Sequence, residues 1–573
     1  MNLRNFFSIL FRKYSSARLA LLVFAVAAAF FLISLATVKA KKKPAVQAIV
    51  PAVGSPGDTM IIKGSGFGSN RGTSFVEIGG SRVTASAYIS WSDDTIRLVL
   101  PSNVQDGLVF VQTSSGKSKP EFFANETGIP VASPETEKTE QPVITSVQSA
   151  GGYGELVTIS GANFGSARGE SKVLFTANRD DANQKQQSAG DKTGELELQY
   201  IEANPADFDY ESWNDSEIKV RIPDGAGSGP LVVRTEKGES NSFALKISVT
   251  PEEKKYSDRK TYLVEVYTDI ENLNSKDSAN ITLRIPKPEK SAYEPLAEMT
   301  ECSPEPILRD FKKTLVYRFE LARNTKNSPE KKQRFKQNYI ISTYAVSTNI
   351  NPKNVKPYSG TDRALYKLYT AEDELIKSKD ESLAALAGKI IGREKNPYLK
   401  AKMIYDYLLE NYNLEKKLRK PEASPYDLID KKSGDAYDFA VFYTALLRAS
   451  SVPAATMSGI LVDTDLAAES HWWTEFYLEN YGWIPVDVAL GMGMDYKPFK
   501  AVENAKEFYF GNLDGQHIAF SRGWNELKRT LSEDSKTVYR PKTYALQSIW
   551  EESSGEKIDY SSLWNNPAVL GIY

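Results

Sequence analysis

Residues able to do nucleophilic or metal chemistry are scarce in this 573-residue chain, which has one cysteine, Cys302, and two histidines, His471 and His517. A structural zinc site takes about four nitrogen or sulfur ligands at motif spacing, which Cys and His cannot supply here. No intramolecular disulfide can form, and the expectation is no metal and no cofactor. Cys302 lies in MTECSPEP, among turn residues with no histidine nearby, and reads as an ordinary thiol. His471 heads the strand-like run HWWTEFYLEN, and Asp487 falls in the next one, YGWIPVDVAL. A carboxylate on a neighbouring strand can fix the tautomer of an imidazole, whose second nitrogen is then free to accept a proton from a nucleophile. A thiol is best activated at a helix N-terminus, where the dipole and unpaired N–H groups lower its pKa.

A helix suited to that role runs through GDAYDFAVFYTALLRASSVPAATMSG, Gly434 to Gly459. Asp435 caps its start, Phe439, Phe442, Leu446 and Leu447 mark one face, and Pro453 follows its end. Upstream, NPYLKAKMIYDYLLENY has Asn396 as N-cap, Pro397 at the first helical position, and Ala401, Ile404 and Leu408 on one face. SLAALAGKII precedes it as another helix, and ATMSGILV reads as a strand. Helices beside an antiparallel sheet predict an α+β domain over 360–573.

The pieces Gly434-Asp435-Ala436-x-Asp438-Phe439-Ala440, Leu447-Arg448-Ala449, Val452-Pro453-Ala454, His471-x-Trp473-x-Glu475 and Gly482-Trp483-x-Pro485-Val486-Asp487 occur in that order. Together they resemble the bacterial transglutaminase-like superfamily, with its papain-like core, over roughly 365–525. The resemblance implies a triad in which a cysteine at the helix start attacks an amide, a histidine takes its proton and an aspartate orients the histidine. The matching positions are Ala436, His471 and Asp487, so alanine stands where the nucleophile belongs. A methyl group cannot form a thioester. Ser433 and Tyr437 flank the position, but a shift of one to three residues turns a side chain about 100–300° around the helix. Two lesser departures are Ser451, where the family usually has Gly, and Ala455, where it usually has Arg. Asp435, Trp473, Glu475 and Trp483 are further cleft candidates. Trp473, Trp483 and Phe439 also suit a core, and His471 also suits an aromatic pocket with Asp487 as its partner. EFYFGNLDGQHIAFSRG resembles the end of the same domain, and its His517 reads as a packing or surface residue.

Ahead of this domain the text is β-rich. Gly64-Ser65-Gly66-Phe67-Gly68 aligns with Gly161-Ala162-Asn163-Phe164-Gly165, and Trp91–Pro101 with Trp213–Pro223. The first pair is 97 residues apart and the second 122, so the second copy carries an insertion, the polar stretch Thr176 to Gln199, read as a loop. Short strands with regular turn signals predict immunoglobulin-like β-sandwiches at 44–124 and 141–249. Both resemble IPT/TIG domains through the G-x-x-F-G turn and the W-x-D-x-x-I-x-x-x-x-P segment. The turn needs glycine where φ is positive, and its Phe plugs the end of the core. The intervening 125–140 is rich in Pro, Glu and Thr and reads as a linker. Two alternating runs in Thr261–Pro288 and another in Asn338–Ile350 predict a small β-domain over 255–352.

Leu19 to Val38 is twenty residues without a charge, long enough as a helix to span a bilayer. Residues 1–18 form a short basic tail before it, and an uncleaved signal anchor is expected because a signal-peptide apolar region is usually shorter, about 7–15 residues. The architecture expected is therefore multidomain: transmembrane helix, two β-sandwiches, a small β-domain and an α+β transglutaminase-like domain. A net charge of −2 argues against a nucleic-acid partner. The leading expectation is a single-pass protein of the bacterial cytoplasmic membrane with its bulk outside it. Its C-terminal domain would bind a peptide, protein or cell-wall ligand, or act structurally, without catalysis. The alternatives are an active amide-processing enzyme with an unusual nucleophile, and an adhesion or scaffold protein working through the sandwiches.

Overall fold

The computed structural model describes residues 43–125, 141–148, 151–179, 199–248, 253–275, 279–321, 332–531, 535–554 and 558–573, with isolated positions 23 and 27. Apart from those two positions the expected membrane span Leu19–Val38, with nearly all of the linker and the insertion from 180 to 198, lies outside the described residues. Among the described residues no helix is long and apolar enough to cross a membrane. The chain divides into two units, Met1–Ile129 and Pro130–Tyr573, each described by itself.

In the first unit, one sheet orders the strands Ala45–Val50, Thr59–Ser65, Thr95–Val99 and Tyr88–Trp91. The facing sheet is built on Glu121–Asn125, Gly107–Thr113 and Phe75–Ile78. Alternation along each strand sends Met60, Ile62, Ile96, Leu98, Val109 and Val111 inward. The second sandwich, in the other unit, repeats the arrangement down to single hydrogen bonds. Trp91 Nε1 donates to Phe67 O at 3.1 Å, and Trp213 Nε1 to Phe164 O at 3.1 Å. Gly68 N–H reaches Asp93 Oδ1 at 2.9 Å, and Gly165 N–H reaches Asp215 Oδ1 at 3.0 Å. Both of these glycines have φ +92°, as the turn requires. The first glycine of each motif serves a different need, close approach of chains. A Cβ on Gly64 would sit 2.1 Å from Ala45 O, and one on Gly161 2.0 Å from Val143 O.

The region after the second sandwich is also β-structure, but it is not closed by local sequence. Its two sheets hold Leu296–Ser303, Gln333–Thr348 and Lys254–Ser275 in one and Leu308–Phe311, Thr314–Leu321 and Ala279–Pro286 in the other. The chain's end completes both. Ile558–Trp564 and Ala568–Ile572 pair with Lys254–Ser275, and Glu551–Ser554 pairs with Ala279–Pro286. The expected boundary at 360–573 is thus corrected: the last strands belong with 254–348, because an exposed sheet edge is completed by whichever strand reaches it.

The remaining residues form the expected α+β layer. Helices Glu381–Ile391, capped by Asp380, and Pro397–Asn411, capped by Asn396, pack on a central helix, Ala436–Ala449. Beneath lies a four-stranded antiparallel sheet in the order Gly482–Val486, Ala468–Leu478, Ala454–Val462, His517–Arg522. The central helix is buried on every side from Ala436 to Arg448, not along one face. Its polar residues survive burial by bonding inward: Tyr443 Oη donates to Ala401 O at 3.0 Å, and Thr444 Oγ1 donates to the carbonyl of Ala440 at 2.8 Å.

Lys254 ties these layers together. Its fully buried ammonium lies 2.7 Å from Asp224 Oδ1 in the second sandwich, and 3.1 and 2.7 Å from the carbonyls of Tyr481 and Trp483 in the C-terminal sheet. Asp224 also accepts from Tyr256 Oη at 2.8 Å and from Trp483 N–H at 2.9 Å. Lys254→Met leaves this carboxylate facing the interior without its cation, at a cost of about 3 kcal/mol. In urea unfolding of the purified protein, the transition should move down correspondingly and should recover in part when Asp224→Asn is added.

Candidate functional site

The site is built at the start of the central helix. Asp435 N-caps it, accepting Asp438 N–H at 3.0 Å, while Asp438 Oδ2 accepts Asp435 N–H at 3.2 Å, a reciprocal capping box. Two buried acids side by side need cations. Lys542 places Nζ 2.5 Å from Asp435 Oδ2 and 3.3 Å from Asp438 Oδ1. Arg419 supplies Nη1 at 2.8 Å to Asp438 Oδ2 and its own N–H at 2.6 Å to Asp435 Oδ2. Burial and the charge of Asp435 nevertheless push the Asp438 carboxyl above its ordinary range. At the other end, Ser451 takes the left-handed conformation, φ +60°, where glycine is the unstrained choice. Its N–H bonds to Arg448 O at 3.0 Å and that of Val452 to Leu447 O at 2.9 Å, forming a Schellman motif.

His471 lies on Ala468–Leu478 beyond the last residue paired with the strand Gly482–Val486, the pair Thr474–Val486. Asp487, immediately after that strand, turns to the ring: His471 Nε2 lies 2.5 Å from Asp487 Oδ2. The other carboxylate oxygen accepts Leu490 N–H at 2.8 Å, capping the single turn Val488–Gly491. His517, on the edge strand of the same sheet, brings Nε2 to within 3.2 Å of the same Oδ2. Its Nδ1 is 2.9 Å from Asp514 Oδ1. Two carboxylates flanking one ring require a proton on each nitrogen. Burial works against that charge, but Asp514 and Asp487 outweigh it and raise the His517 pKa to about 9. Asp487 shows the converse: burial disfavours its charge, yet His471 and His517 hold the carboxyl well below the usual carboxylate range.

A cavity of about 710 Å³ opens here. Asp435, Ala436, His471 and Trp472 line it, between walls formed by 413–418 and 491–496. Asp487 and His517 stand behind His471, fully buried. Of the other expected cleft residues, Trp473, Glu475 and Trp483 do not line this cavity. Trp473 is packed among Tyr256, Tyr293, Tyr344 and Met457. Glu475 lies 3.1 Å from Arg522, which also holds Asp207 of the second sandwich at 3.0 Å. Trp483 stacks edge-on against Tyr369 and lines a separate cavity of about 570 Å³ with Arg522. Cys302 sits elsewhere, on Leu296–Ser303, where burial and the neighbouring Glu305 raise its thiol pKa.

His517, whose sequence context reads as packing or surface, is buried and joins the site through Asp487. The available signal was Asp514-x-x-His517 in a chain with only two histidines. Lys542 and Arg419 carried none, since each reaches the helix start from a loop. The ligand-type atoms of His471, Asp487 and His517 lie within 4.8 Å of one another. Both imidazoles, however, direct Nε2 at the same oxygen, at the 2.5 and 3.2 Å separations of N–H···O bonds. The arrangement is a hydrogen-bonded proton-holding cluster, in which one ring nitrogen of His471 is committed and the other remains for the cavity.

Residues 384–488 match the Transglutaminase-like superfamily, and residues 44–124 match the IPT/TIG domain. An uncharacterized protein of Haemophilus influenzae is 25% identical over 162 residues, covering 23% of this chain and 44% of its own length. A cyclomaltodextrin glucanotransferase of Paenibacillus macerans is 39% identical over 80 residues, covering 14% of this chain and 11% of its own. This chain thus spans less than half the length of these curated relatives. Among solved structures, similarity extends to a protein from Cytophaga hutchinsonii provisionally described as a cysteine protease, with TM-score 0.36 and 16% identity, over 56% of this chain and 92% of that one. The periplasmic domain of TgpA from Pseudomonas aeruginosa gives TM-score 0.24 and 13% identity, over 40% and 86%. The chain is a β-rich multidomain protein containing a transglutaminase-like domain and an IPT/TIG domain.

Two stability measurements check this geometry. Ser451→Gly relieves the left-handed strain and should raise stability by about 1 kcal/mol, read as a higher urea midpoint. His517 has a folded pKa raised above its unfolded value of about 6.5, so its stabilisation is complete below that pH and is lost as pH rises through about 9. Between those limits the wild type should lose about 3 kcal/mol more than His517→Gln, measured as the difference in pH dependence of thermal unfolding.

Proposed function

We propose that this chain, with a transglutaminase-like domain at 384–488 and an IPT/TIG domain at 44–124, binds a ligand in the transglutaminase-like cleft without cleaving it. One observation carries the reading. Ala436, which has no nucleophilic atom, opens the central helix and shares the wall of an open cavity with His471, whose ring is still held by Asp487. Losing the nucleophile of such a unit costs orders of magnitude in rate, while the walls that recognise a ligand remain. Leu19–Val38 anchors the chain in the bacterial cytoplasmic membrane, with the bulk outside. There the ligand is a peptide, a protein segment or a cell-wall fragment. The first sandwich serves as a spacer, and the second is built into the C-terminal body.

The test is an amidase and transamidase assay on the purified full chain beside Ala436→Cys and the double variant Ala436→Cys/His471→Ala. The wild type should be inactive, with activity appearing in Ala436→Cys and vanishing in the double variant. Turnover by the wild type that disappears on His471→Ala alone would overturn the reading and favour an enzyme with an unusual nucleophile.

A further inference from the structure

We infer that the cavity recognises a carboxylate, the free C-terminus of a peptide, held between the start of the central helix and the ring of His471. The inference rests on the reading of the cavity as a binding cleft and names the group that the cleft selects.

Donors and charges at the cavity floor argue for it. The first N–H groups of a helix have no partner within the helix. Here Asp435 satisfies only the N–H of Asp438. Among the described residues no acceptor meets the N–H of Ala436 or Tyr437, and Ala436 lines the cavity. The second, independent observation is His471. It is 2% exposed and lines the same cavity, with Nε2 given to Asp487 and no bonded partner for Nδ1 among the described residues. A carboxylate has two oxygens to offer, one for the Ala436 N–H and one for a protonated Nδ1. Alanine at 436 contributes no polar atom of its own, so the ligand must supply the acceptors.

Asp435 and Asp438 are already matched by Lys542 and Arg419. Behind His471 stand Asp487 and then His517 and Asp514, and the His471 ring packs 5.6 Å from that of His517 and 6.3 Å from Trp473. Asp463, Glu469, Glu415 and Asp495, with Lys416, Lys417 and Lys506, lie on the cavity wall. With the ligand bound, the buried row reads carboxylate, His471, Asp487, His517, Asp514, and its charges alternate. No covalent bond changes. A neutral amide in the same place accepts the N–H but gives the imidazolium no counter-charge. The volume exceeds what a carboxylate fills, and Leu414, Leu418, Met492 and Met494 on the walls suit the apolar part of a peptide.

Calorimetry on the full chain with N-acetyl-dialanine, its C-terminal amide and acetate tests the assignment. The free acid should bind about ten-fold or more tightly than the amide. His471→Gln should abolish the preference. Ala436→Pro is the sharper variant, because proline is well tolerated at a first helical position and Asp435 already has the extended backbone that precedes it, φ −92° and ψ 177°. It replaces the N–H with a ring methylene and should cut acid affinity about ten-fold with an unchanged melting temperature. Equal affinities for acid and amide, an undiminished preference in Ala436→Pro, or no binding of any probe would overturn the inference. Acetate binding as tightly as N-acetyl-dialanine would overturn its peptide part. Turnover is a separate readout, so catalysis by the wild type would defeat the binding-cleft reading without resembling any of these results.

Discussion

A carboxylate with no access to water organises the C-terminal half of this protein. Asp487 is fully buried, and burying a lone charge is expensive enough that the surroundings must be built to hold it. They do so from three elements. One oxygen caps the turn Val488–Gly491, and the other receives imidazoles from the strands Ala468–Leu478 and His517–Arg522. Those strands flank Ala454–Val462, so the two histidines reach a common acceptor across the width of the sheet. Hydrogen bonds to one carboxylate thereby tie together the two strands, the following turn and the His471 ring. The central helix then packs on the other face through Trp472, Thr474 and Phe476, and its start shares the cavity wall with that ring.

The two ends of the site solve the same electrostatic problem differently. At the helix start, a pair of acids meets a lysine and an arginine, and the charges close among themselves. At Asp487 the compensation comes from imidazoles, one doubly flanked and held as a cation, the other with a nitrogen to spare. The first arrangement is structural because nothing in it is left over. The second has a remainder, and it faces the cavity.

What could be read from the sequence divides along a physical line. Caps and turns are local: Asp435, Asn396 and the paired glycine and tryptophan segments were legible because each acts within a few residues or repeats as a unit. His471 and Asp487 were reached through the order of motif pieces. The role of His517 was not, because it depends on which strand becomes the outer neighbour of Ala454–Val462, a choice that alternation does not encode. The same blindness hid the return of 551–572 to the sheets of 254–348, and it hid Lys542, whose distance from Asp435 along the chain carries no pattern. Full burial of the central helix escaped for another reason. Tyr443 and Thr444 look like solvent-facing residues until their hydroxyl partners are in place.

The Lys254–Asp224 pair alters what the second sandwich can be. A domain strung on a tether answers to Brownian motion, and its neighbour feels it only as an added local concentration. Here the pair is sunk between the sandwich, the long strand Lys254–Ser275 and the C-terminal sheet, and Asp207 reaches Arg522 from the same sandwich. A pull applied to the second sandwich is therefore delivered into the sheet that carries His471 rather than absorbed by loose chain. In mechanical terms it is a bolted bracket rather than a pendant on a string.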